Sequence, residues 1–154
     1  MYTMMRLGPP AAAAALLLSL AGCGSEDAAE AAEPSWREPD GYRYTLESSC
    51  GERSLLGRFA IEVAGGRVVD ATAEDETAGL FLGHGDDARL PPTIGELLDE
   101  AEAAREDGAD VVTVTYPEEG NADGEPPSEI SIDYREEALD DEACYEISGY
   151  TAAG

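Results

Sequence analysis

The residues whose types and spacing most clearly imply chemistry lie near the N-terminus. An apolar run from Ala11 to Ala21 closes in Leu20-Ala21-Gly22-Cys23. A short apolar run ending this way is the pattern that a bacterial lipoprotein signal peptidase cuts. The thiol of Cys23 receives a diacylglyceryl group, and the small residues Ala21 and Gly22 let the backbone enter the protease. Cleavage between Gly22 and Cys23 leaves Cys23 as a lipidated N-terminus. The run is preceded by a single positive charge, Arg6. It is shorter than the roughly 20 apolar residues needed to span a bilayer. Two or three acyl chains, at about 0.8 kcal/mol per buried CH₂, anchor stably where one chain is marginal. The expectation is a domain held on the outer face of the cell membrane by its lipid.

The chain has 3 cysteines. If Cys23 is acylated, Cys50 and Cys144 remain as an even pair in an oxidising compartment and are expected to bond. Closing the 94-residue span between them is worth at most about 4–5 kcal/mol in the chain-entropy account. A metal-binding or catalytic pair is the alternative, but CxxC spacing and histidine partners are both lacking.

Other reactive side chains do not form constellations. His84, the only histidine, sits in a Gly-His-Gly-Asp-Asp loop. One histidine cannot build a His-rich zinc site, and a Ser-His-Asp relay needs partners that the spacing does not supply. The serines lack a nucleophile-elbow setting. Glu119-x-Asn121-x-Asp123-Gly124 imitates the start of a calcium loop, but position 12 is Ile130, and Pro126-Pro127 stiffens the second half. It reads as a solvated hairpin loop. No catalytic residue, metal or cofactor is expected.

Charge narrows the partners. The formal net charge is −25, and all 9 basic residues are Arg. Cleavage removes Arg6 and no acid, which takes it to −26. Such a field repels nucleic acid and an anionic bilayer surface. Solubility through self-repulsion is the plain reading, in a sequence whose lack of lysine fits a GC-biased genome; a halophilic host is the rival one.

The elements divide the chain into a signal peptide (1–22), a flexible acidic tether (23–38) and a single domain (39–152). The tether has no apolar periodicity and buries too little to offset its ordering entropy. Trp36 near its end is expected to dock on the domain. Tyr42, Tyr44 and Leu46 share one face of a strand, as do Phe59, Ile61 and Val63 of the next. Gly65-Gly66 then makes a two-residue turn that puts Val63 opposite Val68. The same register sets Ile61 against Asp70, which calls for a bulge or an early strand end. Residues 74–92 read as a long loop whose Leu80, Phe81 and Leu82 fold back over a sheet edge. Thr93-x-x-Glu96 is a capping box opening a helix with Ile94, Leu97, Leu98, Ala101 and Ala104 on one face, stopped by Gly108. Strands follow at Val112–Tyr116 and Ile130–Tyr134, with a less regular one over Cys144–Tyr150. The fold class is α+β, an antiparallel sheet of about five to six strands with one helix packed on a face, in the order β-β-β-α-β-β-β.

Several blocks together resemble a known family. They are Tyr42-x-Tyr44-x-Leu46, Ser49-Cys50-Gly51-Glu52-Arg53, Val63-x-Gly65-Gly66-x-Val68, Pro92-Thr93-Ile94, Ile130-x-Ile132-Asp133 and Asp140-Asp141-Glu142-Ala143-Cys144-Tyr145-x-Ile147. In this order they are similar to a family of small secreted lipoproteins of high-GC Gram-positive bacteria, a domain of unknown function. The resemblance spans about 42–150. It implies an envelope location and no known activity. The function class expected is a lipid-anchored binding or accessory module with an unknown protein or small-molecule partner, and not an enzyme. The alternatives are an inhibitor of secreted enzymes, presenting a strand edge or the 74–92 loop, and an uncharacterised enzyme.

Overall fold

A computed structural model describes residues 36–51, 55–83, 89–117, 124–135, 138 and 140–154. The first strand, β1 (Gly41–Ser48), buries Tyr42, Tyr44, Leu46 and Ser48 and turns the alternate residues outward. β2 (Gly57–Ala64) buries Phe59, Ile61 and Val63 in the same way. Gly65 and Gly66 both have positive φ, 61° and 67°, the backbone that a two-residue hairpin needs to match strand twist. Val63 pairs with Val68 as expected. The Ile61–Asp70 clash is resolved by a bulge. Register shifts between Glu62↔Asp70 and Val63↔Val68, so that Val69 is extra and Ile61 meets Ala71. β3 therefore runs on from Arg67 to Ala73, with the Asp70 carboxylate kept off the core side.

The segment expected as a loop over 74–92 contains a helix, and the single-helix expectation is corrected to two among the described residues. α1 (Glu76–Leu82) is capped by Asp75, whose side chain accepts from the Ala78 N–H at 2.7 Å. Ala78 is fully buried and packs on Gly57, where an added Cβ would lie 2.4 Å from the Ala78 nitrogen. Phe81 meets Phe59 edge-on at 5.5 Å. Two turns with a central Gly79 give no readable periodicity, so tertiary packing creates this helix. Leu80 points away from that contact and is 76% exposed.

α2 (Ile94–Glu106) matches its sequence signals. Both halves of the capping box form, from Glu96 N to the Thr93 hydroxyl and from Thr93 N to the Glu96 carboxylate. Ile94, Leu97, Ala101 and Ala104 are buried along one stripe, and Gly108 turns the chain at φ 82°. β4 (Val111–Thr115), β5 (Glu129–Asp133) and β6 (Glu142–Ala152) complete the chain. The last strand is longer than the expected 144–150 segment. The element order is β-β-β-α-α-β-β-β.

The six strands among the described residues form one antiparallel sheet in the order β3-β2-β1-β6-β5-β4. The first and last strands are thus its centre, and two meanders extend outward from them. α1 lies on the core face over β2 and β3, and α2 over β4 and β5. β6 carries its own irregularity against β1, between the Arg43 and Thr45 pairings. There Gly149 adopts φ 60°, the left-handed bulge position that glycine tolerates. The extra residue reverses the side-chain parity and sends Tyr150 to the core face, where its ring lies 5.7 Å from Tyr42. Trp36, expected to dock on the domain, is buried and meets Tyr42 edge-on.

Candidate functional site

Cys50, just beyond β1, and Cys144 in β6 form a disulfide with a Cα separation of 5.3 Å. Ser49 N–H donates to the Cys144 carbonyl beside it. The bridge therefore joins the two central strands, one from each meander. Gly22 and Cys23, with the rest of 1–35, lie outside the described residues. So do His84 and residues 118–123 of the calcium-like loop. Gly124 takes a turn conformation at φ 71°, and Pro126 and Pro127 are buried. No metal-ligating cluster is found among the described residues, and no described helix is long and apolar enough to cross a membrane.

The face of the sheet away from the helices is open and polar, and its two halves differ. β1, β2 and β3 each carry one Arg and one acid. Arg43 pairs with Glu62 at 3.0 Å, and Arg58 with Glu47 and Glu74, both at 2.9 Å. Between these side chains the small residues Ala60 and Gly149 help form a shallow cup of about 250 Å³, also lined by Arg43, Glu62, Asp70 and Thr72. β4, β5 and β6 contain no basic residue. Their open-face acids stand in direct opposition, Glu129 across from Glu146 and Asp133 across from Glu142. Glu146 also faces Glu47 on its other side. Like charges placed opposite one another on neighbouring strands repel. Asp133 Oδ1 is shielded from solvent without a hydrogen-bond partner among the described residues. This half can hold a cationic or donor-rich group.

These acids were not singled out from the sequence, yet a signal exists. Glu129 and Asp133 are four apart on one strand, and Glu142 and Glu146 four apart on another, so each pair shares a face. Only the register brings the pairs together.

The core face places its polar atoms differently. Glu38 accepts from the Tyr42 hydroxyl at 2.6 Å and from Gly95 N–H at 3.1 Å. The Tyr42 oxygen in turn accepts from Ile94 N–H at 2.9 Å. An added Cβ on Gly95 would lie 2.0 Å from the Glu38 carboxylate, so a side chain there would expel it. The positive end of α2 is thus satisfied by the chain's own carboxylate. Tyr44 donates to the Pro92 carbonyl. Burial is the main cause that pushes both phenols well above their ordinary range, and the Glu38 hydrogen bond adds to it for Tyr42. They are neutral structural donors at physiological pH. Tyr145 donates to Glu100 at 3.0 Å and fixes α2 to β6.

The two sheet edges also differ. β3 carries Arg67, Asp70 and the Val69 bulge, and α1 packs on it. β4 reads Val-Val-Thr-Val-Thr, with no charge, proline or glycine, and pairs with β5 in unbroken register.

The family model for a family of unknown function, DUF6174, matches residues 28–152, and the chain belongs to that family. No curated protein and no solved structure matches it.

Proposed function

We propose that this protein is a lipid-anchored, extracytoplasmic binding or accessory module of the bacterial envelope. The observation that carries the reading is the disposition of its three cysteines. Cys50 and Cys144 are consumed in a bond between the central strands, which suits an oxidising compartment. The one cysteine left over is Cys23, at the end of Leu20-Ala21-Gly22-Cys23. The resemblance of the sequence blocks to small secreted lipoproteins of high-GC Gram-positive bacteria supports the same reading, beside membership of a family of unknown function. Acylation of that residue supplies the membrane contact, and the broad polar face of a disulfide-tied sheet supplies a rigid surface for recognition. Fractionation tests this directly. Wild type is expected in the membrane fraction and labelled by palmitate, and Cys23→Ser as unprocessed precursor or as soluble secreted protein. A Cys23→Ser variant that is processed and retained like wild type overturns the proposal.

A further inference from the structure

The geometry points to the β4 edge as a docking strand for an extended, arginine- or lysine-rich segment of a partner protein, which adds to the sheet as a seventh strand. This deepens the binding-module reading and rests on it only for the existence of a partner. An edge strand presents an unpaired row of backbone N–H and C=O groups, and proteins usually blunt such rows with charges, bulges, prolines or a covering element. β3 is blunted in these ways. β4 is packed by α2 on its core face, as β3 is by α1, but it carries no charge, bulge or proline, and Val111 at its start is 42% exposed. Strand addition at such an edge draws affinity from main-chain hydrogen bonds and specificity from alternate side chains.

The charge pattern next to the edge selects the occupant. On the open face the β4 side chains are the short Thr113 and Thr115, with Val111. Behind them stand Glu129 and Asp133, paired across from Thr115 and Val111. Strands lie about 4.8 Å apart, so an arginine on an added strand reaches over a threonine to a β5 carboxylate. Asp133 lies across from Val111, and its solvent-shielded Oδ1 lacks a donor among the described residues, which an arginine reaching over Val111 would provide. On the opposite side of the added strand, apolar residues extend the half-buried row of Val112 and Val114. A second copy of this chain is a poor occupant. Pairing β4 with itself would bring two rows of acids together in a protein of net charge −25.

The test uses the full chain in detergent and the heptapeptide Arg-Val-Arg-Val-Arg-Val-Arg. Binding is expected, with slowed amide exchange in Val111–Thr115. The same peptide N-methylated at alternate residues keeps its charge but loses its donors, and should bind at least tenfold more weakly. A Glu-for-Arg peptide should not bind. Thr113→Lys should weaken binding tenfold or more with an unchanged melting temperature, and Asp133→Asn should reduce both affinity and its salt dependence. Equal binding of the N-methylated peptide, protection at β3 instead of β4, an inert Thr113→Lys, or the absence of binding each overturns the proposal. A concentration-dependent dimer abolished by Thr113→Lys overturns it in favour of a second copy. None of these results bears on the Cys23→Ser fractionation, so the two readings fail separately.

Discussion

The two meanders of the sheet solve the same packing problem with opposite electrostatics. In β1–β3 every strand brings one Arg and one acid, and the register sets Arg43 beside Glu62 and Arg58 beside Glu47. In β4–β6 the register sets acid against acid. The core faces do not explain the difference, since Phe59 and Ile61 in one half are as well buried as Ile130 and Ile132 in the other. A sheet buried on one side leaves the other face free to vary, and here the variation ends in a self-complementary half and an unbalanced one. The unbalanced half also has the edge strand that carries no charge, bulge or proline. The contrast separates a surface that satisfies itself from one that can be satisfied by a partner.

The largest expected effect breaks the join between the halves. Removing the bridge with Cys50→Ser and Cys144→Ser together should cost about 2–5 kcal/mol, read as a lower urea midpoint. A shift below about 1 kcal/mol would mean that the β1–β6 ladder alone holds the meanders together.

High pH offers the next test, at the aromatic cluster on β1. Tyr42 and Tyr44 have folded-state values raised by burial, while unfolded phenols ionise near pH 10. Above about pH 10 the unfolded state loses protons that the folded state keeps, so stability that is full below this point falls as pH rises. Thermal unfolding should be flat through neutral pH and drop beyond pH 10. Tyr44→Phe should make that drop shallower while lowering stability at neutral pH, because the hydrogen bond to Pro92 is lost.

The smallest effect sharpens the electrostatic contrast itself. Glu146→Gln removes a charge facing both Glu129 and Glu47 and should stabilise by about 0.2–1 kcal/mol. Glu62→Gln, which breaks the Arg43 pair, should be neutral or slightly destabilising. Both differences should vanish in 1 M NaCl, where the Debye length is about 3 Å. Salt should raise the melting temperature of wild type, and calcium should add little beyond its ionic strength. A stoichiometric calcium transition would contradict the reading of 119–125 as a hairpin loop.

Much of the scaffold was legible because its signals are local. Tyr42, Tyr44 and Leu46 report a strand through their alternation, Thr93 and Glu96 a helix start through mutual capping, and Gly65-Gly66 a turn through its φ requirement. α1 was not legible. Its seven residues are too few for a 3.6-residue period to show, and it is stabilised by Ala78 on Gly57 and Phe81 on Phe59, contacts between residues far apart in the chain. The bulge was legible as a conflict, since an aspartate opposite Ile61 could not be accommodated in regular register. The structure decided that the conflict is absorbed by Val69 and does not end the strand.

Sequence alone determined which residues of β1, β2 and α2 face the core and where α2 begins and ends, because periodicity and capping chemistry need no knowledge of neighbours; it pointed to the Cys50–Cys144 pair only on the premise that Cys23 is acylated. Tertiary structure alone decided that β1 and β6 are adjacent, that Glu129 meets Glu146 and Asp133 meets Glu142, and that β4 is an edge. Strand order and register are set by long-range pairing, which minimises exposed apolar surface over the whole sheet. The charges on the open face are carried wherever that pairing puts them.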